Sequence, residues 1–83
     1  RVALVRLPGL LAAEAGGQSR FEVDAATLGD ALRALPVANL VLDDHGTLRP
    51  LVNVYVDGSG ERDLSAPLAP NSVVLLVAAV AGG

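Results

Sequence analysis

The sequence predicts a small α+β domain, a mixed sheet of four to five strands with one main helix packed across it. Two observations carry this: strand-like apolar segments open and close the chain, and a single capped amphipathic helix pattern lies between them. The 83 residues allow one domain over 1–83, small enough that much of the surface of the unfolded chain stays exposed after folding. With 52% hydrophobic residues, few aromatics and no Met or Trp, the core falls to Val, Leu and Ala, which pack through shape.

The opening segment 2–7 is apolar on both faces and stops at Pro8-Gly9, a turn signal. It reads as a largely buried strand. Residues 10–15 lead to Gly16-Gly17, and Arg20-Phe21-Glu22-Val23 then alternates polar with apolar, so a hairpin with a long or irregular turn is expected.

Thr27 stands three residues before Asp30. A hydroxyl there can accept from an orphan amide at the start of a helix, and the carboxylate suits the positive end of the helix dipole. Leu28, Ala31, Leu32 and Leu35 follow at i, i+3, i+4 and i+7, and Pro36 ends the stripe. Residues 37–42 are apolar without a clear period, and a helical turn and an irregular packed segment fit them equally.

Asp43-Asp44-His45-Gly46 forms a polar turn, and 48–56 follows as a strand with Val52, Val54 and Val56 on one face. Asn53 and Tyr55 share the other face with Leu51 and should lie near solvent. Asp57-Gly58-Ser59-Gly60 turns the chain, Pro67 and Pro70-Asn71 mark a loop, and 72–80 forms the last strand. That strand is apolar on both faces, the pattern of a central strand covered on both sides. Residues 79–83 are expected to leave it as a flexible C-terminal tail.

Composition excludes several functions. Cysteine is absent, which removes disulfide frameworks, thiolate metal sites and cysteine nucleophiles. The net charge is −3 and the six basic residues are all arginines scattered singly, which argues against nucleic acid. The mean hydropathy is positive, yet the longest apolar run, 73–81, falls well short of the ~18 residues a spanning helix needs. No export signal opens the chain, which begins at Arg1, so a cytoplasmic, non-membrane protein is expected. His45 has no companion ligands at usable spacing, and Asp43-Asp44, like Glu61 and Asp63, reads as solvated turn charge. Gly58-Ser59-Gly60 lacks the flanks of a nucleophile elbow or a phosphate loop.

The strand-and-helix order, the segment Leu51-Val52-Asn53-Val54-Tyr55-Val56-Asp57-Gly58 and the ending Val80-Ala81-Gly82-Gly83 together resemble the ThiS/MoaD-type sulfur carriers, over most of the chain. Within that family these segments look nearest to the molybdopterin-synthase small subunit and the actinobacterial cysteine-synthesis carrier. The resemblance implies a ubiquitin-like β-grasp fold. It also implies that a ubiquitin-activating-type enzyme, using ATP and Mg, adenylates the carboxylate of Gly83, which becomes a thiocarboxylate and passes sulfur to a biosynthetic enzyme. The implied partners are that adenylating enzyme, a sulfur donor such as a persulfide-bearing sulfurtransferase, and a downstream synthase; the chain itself binds no cofactor or metal. Many relatives carry proline where Ala78 stands and Asp-Gly-Asp where this chain has Pro70-Asn71-Ser72, so the final recipient of the sulfur is left open among molybdopterin, thiazole, cysteine and a specialised metabolite.

The residues suit that chemistry. A carboxylate is a poor acyl donor until it becomes a mixed anhydride, and glycine leaves its carbonyl unhindered. Residues 64–83 carry no charged side chain, so the tail can enter a narrow channel without stripping water from an ion. Gly82, Ala81 and Val80 are the expected recognition residues, and Asn53, Tyr55, Leu76 and Ala78 the candidate partner surface. The alternatives are a modifier conjugated through Gly83, disfavoured for self-linked chains by the absence of lysine, and a non-covalent interaction module. A free-standing enzyme is least supported.

Overall fold

The computed structural model describes residues 2–78. At its centre runs β5, Val73–Ala78, within a five-stranded sheet of order β2-β1-β5-β3-β4. On one side β5 pairs in parallel with β1, Val2–Arg6, through Leu4↔Val73, Val5↔Val74 and Arg6↔Leu75. On the other it pairs antiparallel with β3, Val52–Val56, from Val52↔Ala78 to Val56↔Val74. β2, Arg20–Asp24, lies outside β1, and the two-residue β4, Ser59–Gly60, outside β3. A parallel pair needs a long crossover, and here the rest of the chain supplies it.

Three short helices lie between β1 and β3. α2, Leu28–Arg33, begins as its sequence dictates: Thr27 is extended and its Oγ1 accepts from the Asp30 amide at 3.2 Å. Asp30 also pairs with Arg33 at 2.7 Å, one turn along. Leu28, Ala31, Leu32 and Leu35 are all buried in the core against Val5, Val54 and Val74. Two further amides at the start of this helix donate outward, Leu28 to the Ala66 carbonyl at 2.9 Å and Gly29 to the Leu64 carbonyl at 2.8 Å. Orphan amides of a helix N-terminus are thereby satisfied by the loop that leads to β5. A Cβ on Gly29 would stand 3.0 Å from that Leu64 oxygen, so the close approach favours glycine.

α1, Gly9–Glu14, occupies the stretch expected to be an irregular turn. Pro8-Gly9 disguises it: Pro8 caps the helix with no side-chain hydrogen bond. Burial of Leu11 and Ala12 holds it instead, and it ends in a glycine cap, with Gly16 at φ 74° and the Gly17 amide bonded to the Ala12 carbonyl at 2.8 Å. Residues 37–42, open between two readings, contain α3, Ala38–Val41. β3 is shorter than the expected 48–56, because Pro50 has no amide to give a ladder and the Val52 amide turns back to the Arg49 carbonyl at 3.1 Å.

The largest departure concerns the two central strands. Both were expected to be covered on both faces, but the helices cover only one face of the sheet. In β5, Val74 and Leu76 are core, while Val73, Leu75 and Val77 are 37%, 40% and 40% exposed. In β1, Ala3 and Val5 are buried while Val2 and Arg6 are exposed. Among the described residues no helix is long and apolar enough to cross a membrane.

The one-sided sheet sets a direct contrast. Leu76→Ala should cost about 2–5 kcal/mol of unfolding free energy, whereas Leu75→Ala, one position along, should cost well under about 1 kcal/mol. Urea unfolding midpoints of the two variants check this.

Candidate functional site

Ala78 belongs to β5, the middle strand of the sheet. β5 is paired with β1 over Val73, Val74 and Leu75 and with β3 from Val74 to Ala78. Three devices fix the start of β5. The Leu4 amide donates to the Ser72 carbonyl at 2.9 Å and the Asn71 amide to the Val2 carbonyl at 2.9 Å. Asp57 then binds from the other side: its amide donates to the Val73 carbonyl, and its carboxylate accepts from the Val73 amide, both at 2.9 Å. Asp57 and Gly58 have φ of 50° and 88°, the two left-handed residues of a tight β3–β4 hairpin. The Asp-Gly of the family-like segment is therefore structural, and places Val56 beside Val74.

The stretch before β3 is held by Arg62. Its Nη1 donates to the Val52 carbonyl at 2.6 Å and its Nη2 to the Arg49 carbonyl at 3.0 Å. Upstream, the turn 43–47 is closed by the Asp43 carboxylate, which accepts from the His45 and Thr47 amides, each at 2.9 Å. The Thr47 bond above all holds the Asp43 carboxyl below its ordinary value of 3.8. Asp63, bonded by the Ser65 hydroxyl and amide, and Asp30, bonded by Arg33 and Thr27, are lowered likewise. His45 is exposed in its turn. Among the described residues no three His, Cys, Asp or Glu side chains come together as metal ligands would.

Of the residues singled out in the sequence, Asn53 and Tyr55 are exposed on the open face of the sheet, directly across from Val77 and Leu75. Leu76 is corrected: at 1% exposure it lies in the core and offers a partner nothing. Side chains alternate along a strand, so the open face belongs to its neighbours Val73, Leu75 and Val77. Ala78 is half-buried on β5. Val80, Ala81, Gly82 and Gly83 lie outside the described residues.

Two apolar surfaces escaped the sequence reading. One is the open-face stripe of Val73, Leu75 and Val77 beside half-buried Leu4. Its signal was the unbroken apolar run itself, which looks the same whether one face or both are covered. The other is a groove of about 470 Å³ beside β5, bordered by Leu10, Leu40, Leu51 and Ala78. No local pattern announces it, because its walls come from separate segments.

A mixed sheet whose first and last strands lie side by side at its centre, with helices packed on one face, defines a ubiquitin-like β-grasp domain. Solved structures match it over nearly its whole length. SAMP1 of Haloferax volcanii is 32% identical, with 100% of each chain covered and a TM-score of 0.84. CysO of Mycobacterium tuberculosis is 26% identical over 94% of this chain and 99% of its own, at 0.82. CysO of Amycolatopsis orientalis, solved in complex with BexX, is 25% identical over 98% and 99%, at 0.79. By sequence, no family model and no curated protein matches. The chain belongs to the ThiS/MoaD-type family of β-grasp sulfur carriers.

Two predictions follow from the ties around β3. Arg62→Ala should lower stability by about 1–3 kcal/mol, since the Val52 carbonyl loses its cationic partner and the Arg49 carbonyl keeps only the Val52 amide, and Arg62→Lys should restore only part, lacking the fork; urea titration reads both. Because Asp30, Asp43 and Asp63 titrate lower when folded, their stabilisation is complete above the unfolded value of 3.8 and is lost as pH falls through their folded values. The thermal midpoint should therefore drop as pH falls below 3.8, and Asp43→Asn should flatten that drop.

Proposed function

We propose that this protein is a sulfur carrier whose working group is the carboxylate of Gly83. The observation that supports the reading is the position of β5: Val73–Ala78 is the middle strand of the sheet, paired with β1 on one edge and β3 on the other, and the sequence runs on from it to Gly82-Gly83. An adenylating enzyme supplies ATP and Mg. The Gly83 carboxylate attacks the α-phosphorus, pyrophosphate leaves, and a mixed anhydride forms. Sulfide displaces AMP from the carbonyl to give the thiocarboxylate directly. A persulfide gives an acyl disulfide, from which a second thiol releases the same product. A downstream synthase then takes the sulfur onto its substrate, and water hydrolyses the acyl group to return the carboxylate, so the chain acts as a co-substrate, with its chemistry performed by its partners in the cytoplasm.

Fixing a tail costs about 1–2 kcal/mol per residue, which docking of the body must offset. The open face, with Tyr55 and Asn53 beside Leu75 and Val77, is suited to that docking, and Val80, Ala81 and Gly82 to the channel beyond. The BexX/CysO complex of the Amycolatopsis relative supports a downstream enzyme partner.

A second reading has its own support. The Haloferax relative is named a small archaeal modifier protein, and conjugation to lysines of other proteins would use the same Gly83 carboxylate. Lysine is absent from this sequence, so chains of it linked through its own lysines cannot form.

Coexpression with a competent adenylating enzyme and a sulfur donor should yield a chain with one oxygen replaced by sulfur, read by intact mass. Removal of Gly82-Gly83 should abolish the exchange and leave the fold unchanged by circular dichroism. An unmodified mass in the presence of active partners overturns the carrier reading, and isopeptide adducts ending in Val-Ala-Gly-Gly on other proteins establish the modifier.

A further inference from the structure

The arginines stand singly in the sequence, yet strand register brings two of them together. Arg6 on β1 lies directly opposite Arg20 on β2, and both are exposed. Residues paired in this way have Cβ atoms about 4.5–5.5 Å apart, and like charges so placed destabilise a sheet. The other described arginines are engaged by their own chain: Arg33 by Asp30, Arg49 by the Asn39 carbonyl, and Arg62 by the Val52 and Arg49 carbonyls. Among the described residues no side chain pairs with the Arg6 or Arg20 guanidinium, and Glu22, the diagonal neighbour of Arg6 on β2, forms no ion pair with either.

Their placement is the second observation. Register continues the pair across the open face as one row, Arg20, Arg6, Leu75 and Tyr55. At about 4.8 Å between strands the row spans roughly 14 Å, well inside the patch of about 800 Å² that a partner of standard size covers. Leu75 and Tyr55 are exposed, so a single footprint takes in the charged half of the row and the apolar half together.

We infer that the open face recognises a protein surface that sets carboxylates against Arg6 and Arg20 and apolar side chains against Leu75, Val77 and Tyr55, and that the adenylating enzyme carries this surface. The choice of enzyme rests on the carrier reading; the chemistry of the surface rests on the row. A body that covers Leu75 and Tyr55 also takes water from the arginine one strand away, and a desolvated guanidinium left unpaired opposes binding. Carboxylates remove that penalty, since each can accept two parallel hydrogen bonds from an arginine fork. A nucleic acid would meet the arginines but has nothing for the apolar half of the row, and the net charge of −3 repels it. Within the free chain the two charges only repel each other. In the complex they discriminate, because a neutral or basic surface that fits the apolar stripe is rejected by them.

Calorimetry of the full chain with the ubiquitin-activating-type enzyme of its source organism, without ATP, reads docking apart from chemistry. Arg6→Gln and Arg20→Gln should each weaken binding about tenfold, while Arg33→Gln, an equal change of net charge on α2, should leave it unchanged. Added salt should weaken the wild-type complex more steeply than that of the double variant. Arg20→Glu separates stability from recognition: it sets a carboxylate opposite Arg6, so the urea midpoint should rise while binding falls by more than about tenfold. That rise also shows that the variant is folded. Equal affinity of the wild type, Arg6→Gln and Arg20→Gln overturns the proposal, as does an effect of Arg33→Gln as large as theirs, which reduces it to net charge. A wild-type chain that does not bind the enzyme overturns it too, and so does one that pairs with a second copy in sedimentation and loses that pairing in Arg20→Glu. If arginine-dependent docking is seen and adenylation never follows, the carrier reading fails and the docking surface stands.

Discussion

β5 is bonded along both edges, in parallel to β1 and antiparallel to β3, and the rest of the architecture answers to that constraint. Its parallel partner is the first strand of the chain, so everything between them must form one crossover. Among the described residues, that crossover supplies the cover for the sheet. It packs the helices on one face, where Val74 and Leu76 share one buried core with Leu28, Leu32 and Val41, and leaves the other face bare. A bare apolar stripe on a folded surface signals an interaction site, and this one lies on the strand that precedes the proposed carrier tail.

The fold thus separates two needs that conflict in one small chain. A group that visits other enzymes must be narrow and uncharged, while the body behind it must be rigid enough to recognise. Residues 64–83 lack charged side chains. The charged side chains that brace β3 and the start of β5, Arg62 on the Val52 and Arg49 carbonyls and Asp57 on the Val73 amide, come from outside that stretch. Anchoring is delegated to neighbours, so the strand and its continuation stay chemically bare.

Local signals were readable in the sequence and long-range ones were not. Thr27, Asp30 and the Leu28, Ala31, Leu32, Leu35 stripe act within a few residues of one another, and they specified α2 and its buried face. Asp57-Gly58 likewise specified its turn. α1 was hidden because Pro8-Gly9 reads as a turn and no polar side chain caps it; only the burial of Leu11 and Ala12, a tertiary fact, makes it a helix. The open face was hidden by its own composition, since Val73, Leu75 and Val77 are as apolar as the residues facing the core. The misplacement of Leu76 follows from that: without a polar marker in the strand, nothing in the pattern fixes which alternate set looks outward. The groove belongs to tertiary structure altogether, as Leu10, Leu40 and Leu51 meet only when α1, α3 and the segment before β3 come together.

The central claim is that a braced body delivers a bare acyl end, and an adenylating enzyme can report on it through ATP–pyrophosphate exchange. The decisive comparison is between the folded chain and a free peptide of residues 72–83. The account predicts that the folded chain supports exchange at far lower concentration than the peptide, because docking of the body offsets the ordering of the tail. Equal exchange from peptide and folded chain would contradict it.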